Sequence, residues 1–167
     1  MIISLVLLVI VICVLSYCVV VLFDRTKPDT DTVYPFNEAM DMIELPVLTL
    51  SNNGRNYRFI LDSGSNGCHL DKRVLDKLDI ESTSEASSSS MSTGAGVIET
   101  SKDKAQVKFS LGNTVFSIPF FVEDLSQPFD YIKKTDGMTI HGILGSNFLR
   151  ANKWVLDFAK NVAYMKK

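Results

Sequence analysis

Hydrophobic and polar positions divide this chain into two unlike parts. Residues 2–23 are apolar almost without interruption, with Ser4, Ser16 and Tyr17 the exceptions. Beyond them, short apolar stretches alternate with polar positions and turn residues, the period-2 pattern of half-buried strands. Strands are expected over residues 43–50, 56–61, 105–111 and 114–122. Asn52-Asn53-Gly54 would turn the first pair and Gly112-Asn113 the second, because such residues accept the positive φ of tight hairpins. A closing hairpin is expected from residues 154–158 and 162–165, turning at Lys160-Asn161. Helical spacing is confined to residues 71–78, with Asp71 as N-cap and Val74, Leu75 and Leu78 on one side, and to a short segment from Asn147. Residues 81–101 are rich in Ser and Thr and alone would read as a flexible linker. Short strands, frequent turns and one or two short helices predict an all-β, barrel-like domain. Trp154, Phe158, Phe120 and Phe121 are expected in its core.

The apolar run has the length of a membrane span, which takes about 20 residues to cross ~30 Å of hydrocarbon. A cleaved signal peptide would bring a positively charged start, a shorter apolar core and a small-residue cleavage site, and none precedes Asp24. Residues 1–23 therefore read as a single-pass membrane anchor, meeting the lipid bilayer through residues 2–23. Arg25 and Lys27 follow the run and no basic side chain precedes it, which leans the folded part toward the cytoplasmic side. Asp24, Asp29 and Asp31 weaken that bias. Residues 24–41, polar and carrying Pro28 and Pro35, read as a juxtamembrane linker, and residues 42–167 as one folded domain.

Composition narrows the classes of function. None of the 17 basic and 19 acidic side chains lies in residues 1–23, and the formal net charge is -2. With no basic block, nucleic acid is not an expected partner. The three cysteines stand at positions 13, 18 and 68, two of them inside the apolar run. They supply neither a disulfide framework nor a cysteine zinc cluster. The two histidines, His69 and His141, do not form a metal-ligand pattern, so no metal and no cofactor is expected.

The segment that carries chemistry is residues 59–67. Asp62 follows three apolar strand residues, which aims its carboxylate toward a core or cleft, a costly place without partners. Gly64 follows, between the hydroxyls of Ser63 and Ser65, and lets the chain turn so that backbone N–H groups face the carboxylate. Taken alone, Asp62-Ser63-Gly64 is equally a common turn closing a strand. In context, Ile60-Leu61-Asp62-Ser63-Gly64-Ser65 resembles the active-site signature of aspartic proteases. A second marker of that family, two hydrophobic residues and a glycine, stands at Ile143-Leu144-Gly145. It runs on into Ser146-Asn147-Phe148-Leu149 and later Val155-Leu156-Asp157-Phe158, similar to the family's short helix and following strand. Thr93, Gly94, Ala95 and Gly96 fall where retropepsin-like members carry a flap. Ser63 replaces the more usual Thr and keeps the hydroxyl.

The resemblance implies a retropepsin-like, single-lobe acid-protease barrel, because the chain has one Asp-Ser-Gly loop and is too short for two lobes. Thr135-Asp136-Gly137 lies in the wrong order for a second loop and reads as an exposed turn, and Asp157 lacks a following Ser/Thr-Gly. The second carboxylate must then come from an identical chain across a two-fold axis. On that reading Asp62 of each protomer forms the catalytic dyad, and two adjacent carboxylates share one proton. Ser63 would hydrogen-bond across the dimer, Gly64 would leave room for substrate, and the residues around Thr93–Gly96 would close over an extended polypeptide. The expected activity is hydrolysis of peptide bonds by an aspartic endopeptidase. The alternative is a non-catalytic peptide-binding or dimerisation module on the same fold. Other chemistries fare worse: Cys68 and His69 are adjacent on a strand and point to opposite faces. Ser65 lacks the Gly-x-Ser-x-Gly elbow of a serine nucleophile.

Overall fold

A closed ring of six strands organises the chain. The computed structural model describes residues 32–84, 88–93, 96–101 and 103–166. The anchor expected over residues 1–23 lies outside them. Among the described residues no helix is long and apolar enough to cross a membrane. Strands β2 (Val47–Asn52) and β3 (Arg55–Asp62) form the first hairpin, and β8 (Asp103–Leu111) and β9 (Thr114–Glu123) form another. Both turn where the sequence predicts, with positive φ at Asn53, Gly54 and Gly112. Strands β4 (Cys68–Asp71) and β10 (Gly142–Gly145) lie between them, giving the order β2-β3-β10-β4-β9-β8. The pairing of Ser51 with Ser110 joins β8 back to β2 and closes the barrel. Closure removes the exposed edges that an open sheet would present. Strand β5 (Ile80–Ser84) pairs antiparallel with β8 along the same edge that Ser51 of β2 meets.

Alternate side chains of these strands fill the interior. Leu48, Leu50, Phe59, Leu61, Leu70, Val107, Ile118 and Leu144 are all buried in one cluster. Phe59, Phe109 and Phe120 meet at its centre, with ring centroids 5.0–5.9 Å apart. Two of the three contacts are edge-to-face, a favoured aromatic geometry. Cys68 points into this cluster.

The opposite face of β2, β3 and β10 is covered as well. Helices α1 (Asn37–Ile43) and α2 (Ser126–Asp136) belong to a second cluster, in which Ala39 and Phe129 pack with Val47, Ile60, Met138 and Ile140. Neither helix was expected from the sequence. The start of α1 was assigned to the linker, but Val33–Lys167 forms one compact unit and Phe36 is only 3% exposed. Glu44 closes α1 in the left-handed conformation, and Pro46 follows, so the strand begins at Val47 and not at residue 43. In α2, Thr135-Asp136-Gly137 is the helix end, not an exposed turn, with Gly137 capping at φ 76°.

The remaining elements refine the expectation of one or two short helices. Residues Lys72–Lys77 form a 3-10 helix capped by Asp71, which accepts from the Arg73 N–H at 3.0 Å. Helix α3 (Ser146–Ala151) follows β10 directly. The described residues thus hold three α-helices and one 3-10 helix around an all-β barrel. Strand β1 (Val33–Pro35) joins the closing hairpin of β11 (Trp154–Asp157) and β12 (Val162–Met165) in a separate sheet ordered β1-β12-β11. Trp154 is buried as expected, but Phe158 is 55% exposed, its ring meeting that of Phe36 in an edge-type contact with centroids 5.9 Å apart. The Ser/Thr-rich stretch contains a hairpin, β6 (Ser88–Thr93) paired with β7 (Gly96–Ser101), and is not simply a linker.

If residues 33–43 belong to the folded unit, Phe36→Ala should destabilise the full-length chain by about 3–5 kcal/mol, the usual cost of emptying a buried phenylalanine site. Urea denaturation checks this, and an unchanged midpoint would return the segment to the linker.

Candidate active site

Asp62 ends β3, where the buried strand emerges into the loop toward β4. Its Oδ1 accepts a hydrogen bond from the Gly64 N–H at 2.8 Å, the backbone contact expected for a carboxylate beside a glycine turn. A Cβ at position 64 would stand 3.2 Å from that oxygen, so a side chain there would crowd the carboxylate. Ser63 is exposed, and Ser65 is half-buried. The Ser65 hydroxyl donates to the Gly67 carbonyl at 2.9 Å, closing the loop on itself.

The Ile143-Leu144-Gly145 marker lies directly beside this loop. Strand β10 runs parallel to β3 with Ile143 opposite Ile60, Leu144 opposite Leu61 and Gly145 opposite Asp62. A Cβ at Gly145 would come within 2.2 Å of the Gly67 carbonyl oxygen, so only glycine allows this approach. The Ser146 N–H then donates to the Ser65 carbonyl at 2.7 Å, fastening the start of α3 to the loop. Two markers far apart in sequence are thus one backbone unit.

A family model described as Aspartyl protease matches residues 48–148. The chain belongs to the aspartyl protease family. No curated protein matches it. Among solved structures, the crystal structure of the retroviral protease-like domain of Ddi1 from Leishmania major is similar to this chain at 13% identity, covering 74% of this chain and 89% of that one with a TM-score of 0.46.

The other sequence candidates are distributed as follows. Thr93 and Gly96 form the last pair of the β6–β7 hairpin. Gly94 and Ala95 lie outside the described residues. Cys68 and His69 do point to opposite faces: Cys68 faces the barrel interior, and burial pushes its thiol up to about 11, far from a reactive thiolate. Asn147 Oδ1 lies 3.5 Å from its sulfur. His141 is a structural residue whose Nδ1 accepts from the Arg58 N–H at 2.9 Å, and burial lowers its pKa. Asp157 accepts from the Lys160 N–H at 3.1 Å and stabilises the turn of the closing hairpin. No cluster suited to a metal ion occurs among the described residues.

Three groups had no site role in the sequence reading. His69 is buried on the side of β4 away from the barrel interior, against Phe121 at 5.7 Å. Its Nε2 lies 3.1 Å from the Ser65 hydroxyl, and its Nδ1 meets the carboxylate of Glu123 at the end of β9. Asp71, 1% exposed, is held by Arg73 at 2.9 and 2.5 Å, and Arg73 also reaches Asp130 of α2 at 2.8 Å. Only Asp71 carried a sequence signal, as an N-cap. The His69–Glu123 contact depends on the parallel pairing of β4 with β9, which no local pattern announces.

Gly145→Ala should destabilise the protein by at least about 1–3 kcal/mol, since the new methyl meets backbone and not a movable side chain. Thermal unfolding of the full-length variant measures this. A neutral result would mean that the loop yields freely at this point.

Proposed function

We propose that this protein is a membrane-anchored aspartic endopeptidase, active as a homodimer in which each protomer contributes Asp62. The observation that carries the reading is the in-register pairing of Gly145 with Asp62, which holds an Asp-Ser-Gly loop at a strand end with its carboxylate bonded to the Gly64 N–H. Membership of the aspartyl protease family supports it.

Peptide hydrolysis without a covalent intermediate needs a base for the attacking water and an acid for the carbonyl oxygen. Two Asp62 carboxylates sharing one proton supply both. The ionised one takes a proton from water as the oxygen attacks the carbonyl carbon. The protonated one gives its proton to the carbonyl oxygen, forming a tetrahedral diol. Collapse of the diol breaks the C–N bond, with a proton delivered to the departing amine. Ser63 would brace the two loops across the two-fold axis. The β6–β7 hairpin, whose last described pair is Thr93 and Gly96, would cover an extended polypeptide substrate. Residues 2–23 would hold both protomers in a bilayer as single-pass anchors, with the folded part on the cytoplasmic side. Confinement to a surface raises their effective concentration and favours the dimer.

Asp62→Asn preserves size and removes the base, so peptide hydrolysis should fall by about 10³-fold or more while folding persists. The test compares the full-length wild type and variant on a broad peptide library from mildly acidic to neutral pH. Cleavage by both would move the chemistry elsewhere, and cleavage by neither would favour a peptide-binding module. Specific activity of the wild type should also rise with protein concentration in detergent, and constant activity from a verified monomer would overturn the shared dyad.

A further inference from the structure

We propose that the cavity between the 3-10 helix, α2 and the segment entering β10 binds a small phosphate monoester, through Lys77, Lys133 and the Nε2 N–H of His141. The site lies at the end of β10 away from Asp62 and rests on no assumption about peptide hydrolysis.

The cavity has a volume of about 220 Å³. Pockets for drug-sized ligands run to about 300–1,000 Å³, so this one suits a smaller guest. Val74, Phe129 and Ile140, all buried, supply its apolar wall. His141 lines it one residue before β10, whereas Gly145, at the other end of that strand, pairs with Asp62. Four residues of extended chain put about 13 Å between the two ends.

Charge narrows the class of guest. Three cations, Arg73, Lys77 and Lys133, line the cavity against two carboxylates, Asp71 and Asp130. The two carboxylates already bind Arg73, Asp71 at 2.9 and 2.5 Å and Asp130 at 2.8 Å. Lys77 and Lys133 make no ion pair among the described residues. An anion entering here therefore meets two exposed ammonium groups whose charge the protein leaves uncompensated.

His141 adds a neutral donor. Its Nδ1 accepts from the Arg58 N–H at 2.9 Å, and because a backbone N–H only donates, that nitrogen carries no proton. Burial, together with the nearby charges of Arg58 and Lys77, lowers the ring's pKa, so the ring is neutral with its one proton on Nε2. Among the described residues only Trp154 Nε1 is sealed from solvent without a partner, so the His141 Nε2 N–H stays accessible. The Tyr57 ring, 5.2 Å away and edge-on, steadies the imidazole. With the Thr139 hydroxyl, also on the lining, four residues offer donors. A phosphate monoester presents three terminal oxygens and up to two charges to such a set, where a carboxylate presents two oxygens and one charge. The wall of Val74, Phe129 and Ile140 is left for the organic group.

Calorimetric titration of the detergent-solubilised full-length chain with phenyl phosphate, inorganic phosphate and benzoate, at neutral pH and constant ionic strength, tests this. Phenyl phosphate should bind saturably at one site per chain, more tightly than inorganic phosphate, with benzoate at least about tenfold weaker. Both cavity lysines are exposed, so Lys77→Met with Lys133→Met should leave the fold intact and weaken phenyl phosphate by about tenfold or more. Lys134→Met, next along α2 but outside the cavity lining, should leave the affinity unchanged. Amide resonances of Thr139 and His141 should move on binding while that of Gly64 stays still. No saturable binding at millimolar phenyl phosphate, equal binding of benzoate, equal weakening by Lys134→Met, or resonance changes centred on Gly64 would each overturn the proposal.

Discussion

The structure depends on one close approach between backbones. Gly145 lies so near the Gly67 carbonyl that no side chain fits, and this contact fixes where β10 sits beside β3. Asp62 is placed both by that pairing and by the Gly64 N–H of its own loop. The same glycine allows α3 to begin against the Ser65 carbonyl. Sterics at a single Cβ position therefore set the geometry of the loop, and the hydrogen bonds of Asp62, Ser65 and Ser146 follow from it.

A contact so tight is sustained only on a stiff support. The strands that carry it are packed on both faces, by the Phe59-Phe109-Phe120 cluster within the barrel and by α1 and α2 outside. Close-packed interiors have low compressibility and resist small displacements, so a loop mounted on them is held in place. Arg73, itself exposed, holds the buried Asp71 carboxylate and reaches Asp130, tying the 3-10 helix to α2 beside the same strands. Removing Arg73 is costly, since it leaves the buried Asp71 carboxylate without its partner.

Much of this was legible in the residues. The alternation along 56–61, 105–111 and 114–122, with glycine and asparagine between, marked strands and turns correctly. Asp62, Ile143, Leu144 and Gly145 were recognisable because each sits in a short, local pattern. Helix α2 was missed because Pro128 and a cluster of polar residues hide the Phe129/Ile132 stripe, which becomes apolar-facing only once β2, β3 and β10 offer a partner surface. Helix α1 was missed for a similar reason, since its few apolar residues acquire meaning from tertiary packing. Phe158 failed as a core residue because hydrophobicity alone does not say which side of a hairpin meets the barrel. His69 and Glu123 meet across parallel strands, a relation fixed by topology and absent from any window of sequence.

The strand order has a consequence for the life of the chain before it is complete. β10 comes late in the sequence yet lies between two early strands, β3 and β4. A nascent polypeptide leaving the ribosome has Asp62 and its glycine turn early, but not the strand that braces them. Non-local strand pairing of this kind delays ordering until the distant segment arrives. The Asp62 loop thus takes its final shape only near the end of synthesis, and translation cut short before residue 142 leaves the carboxylate on an unbraced turn.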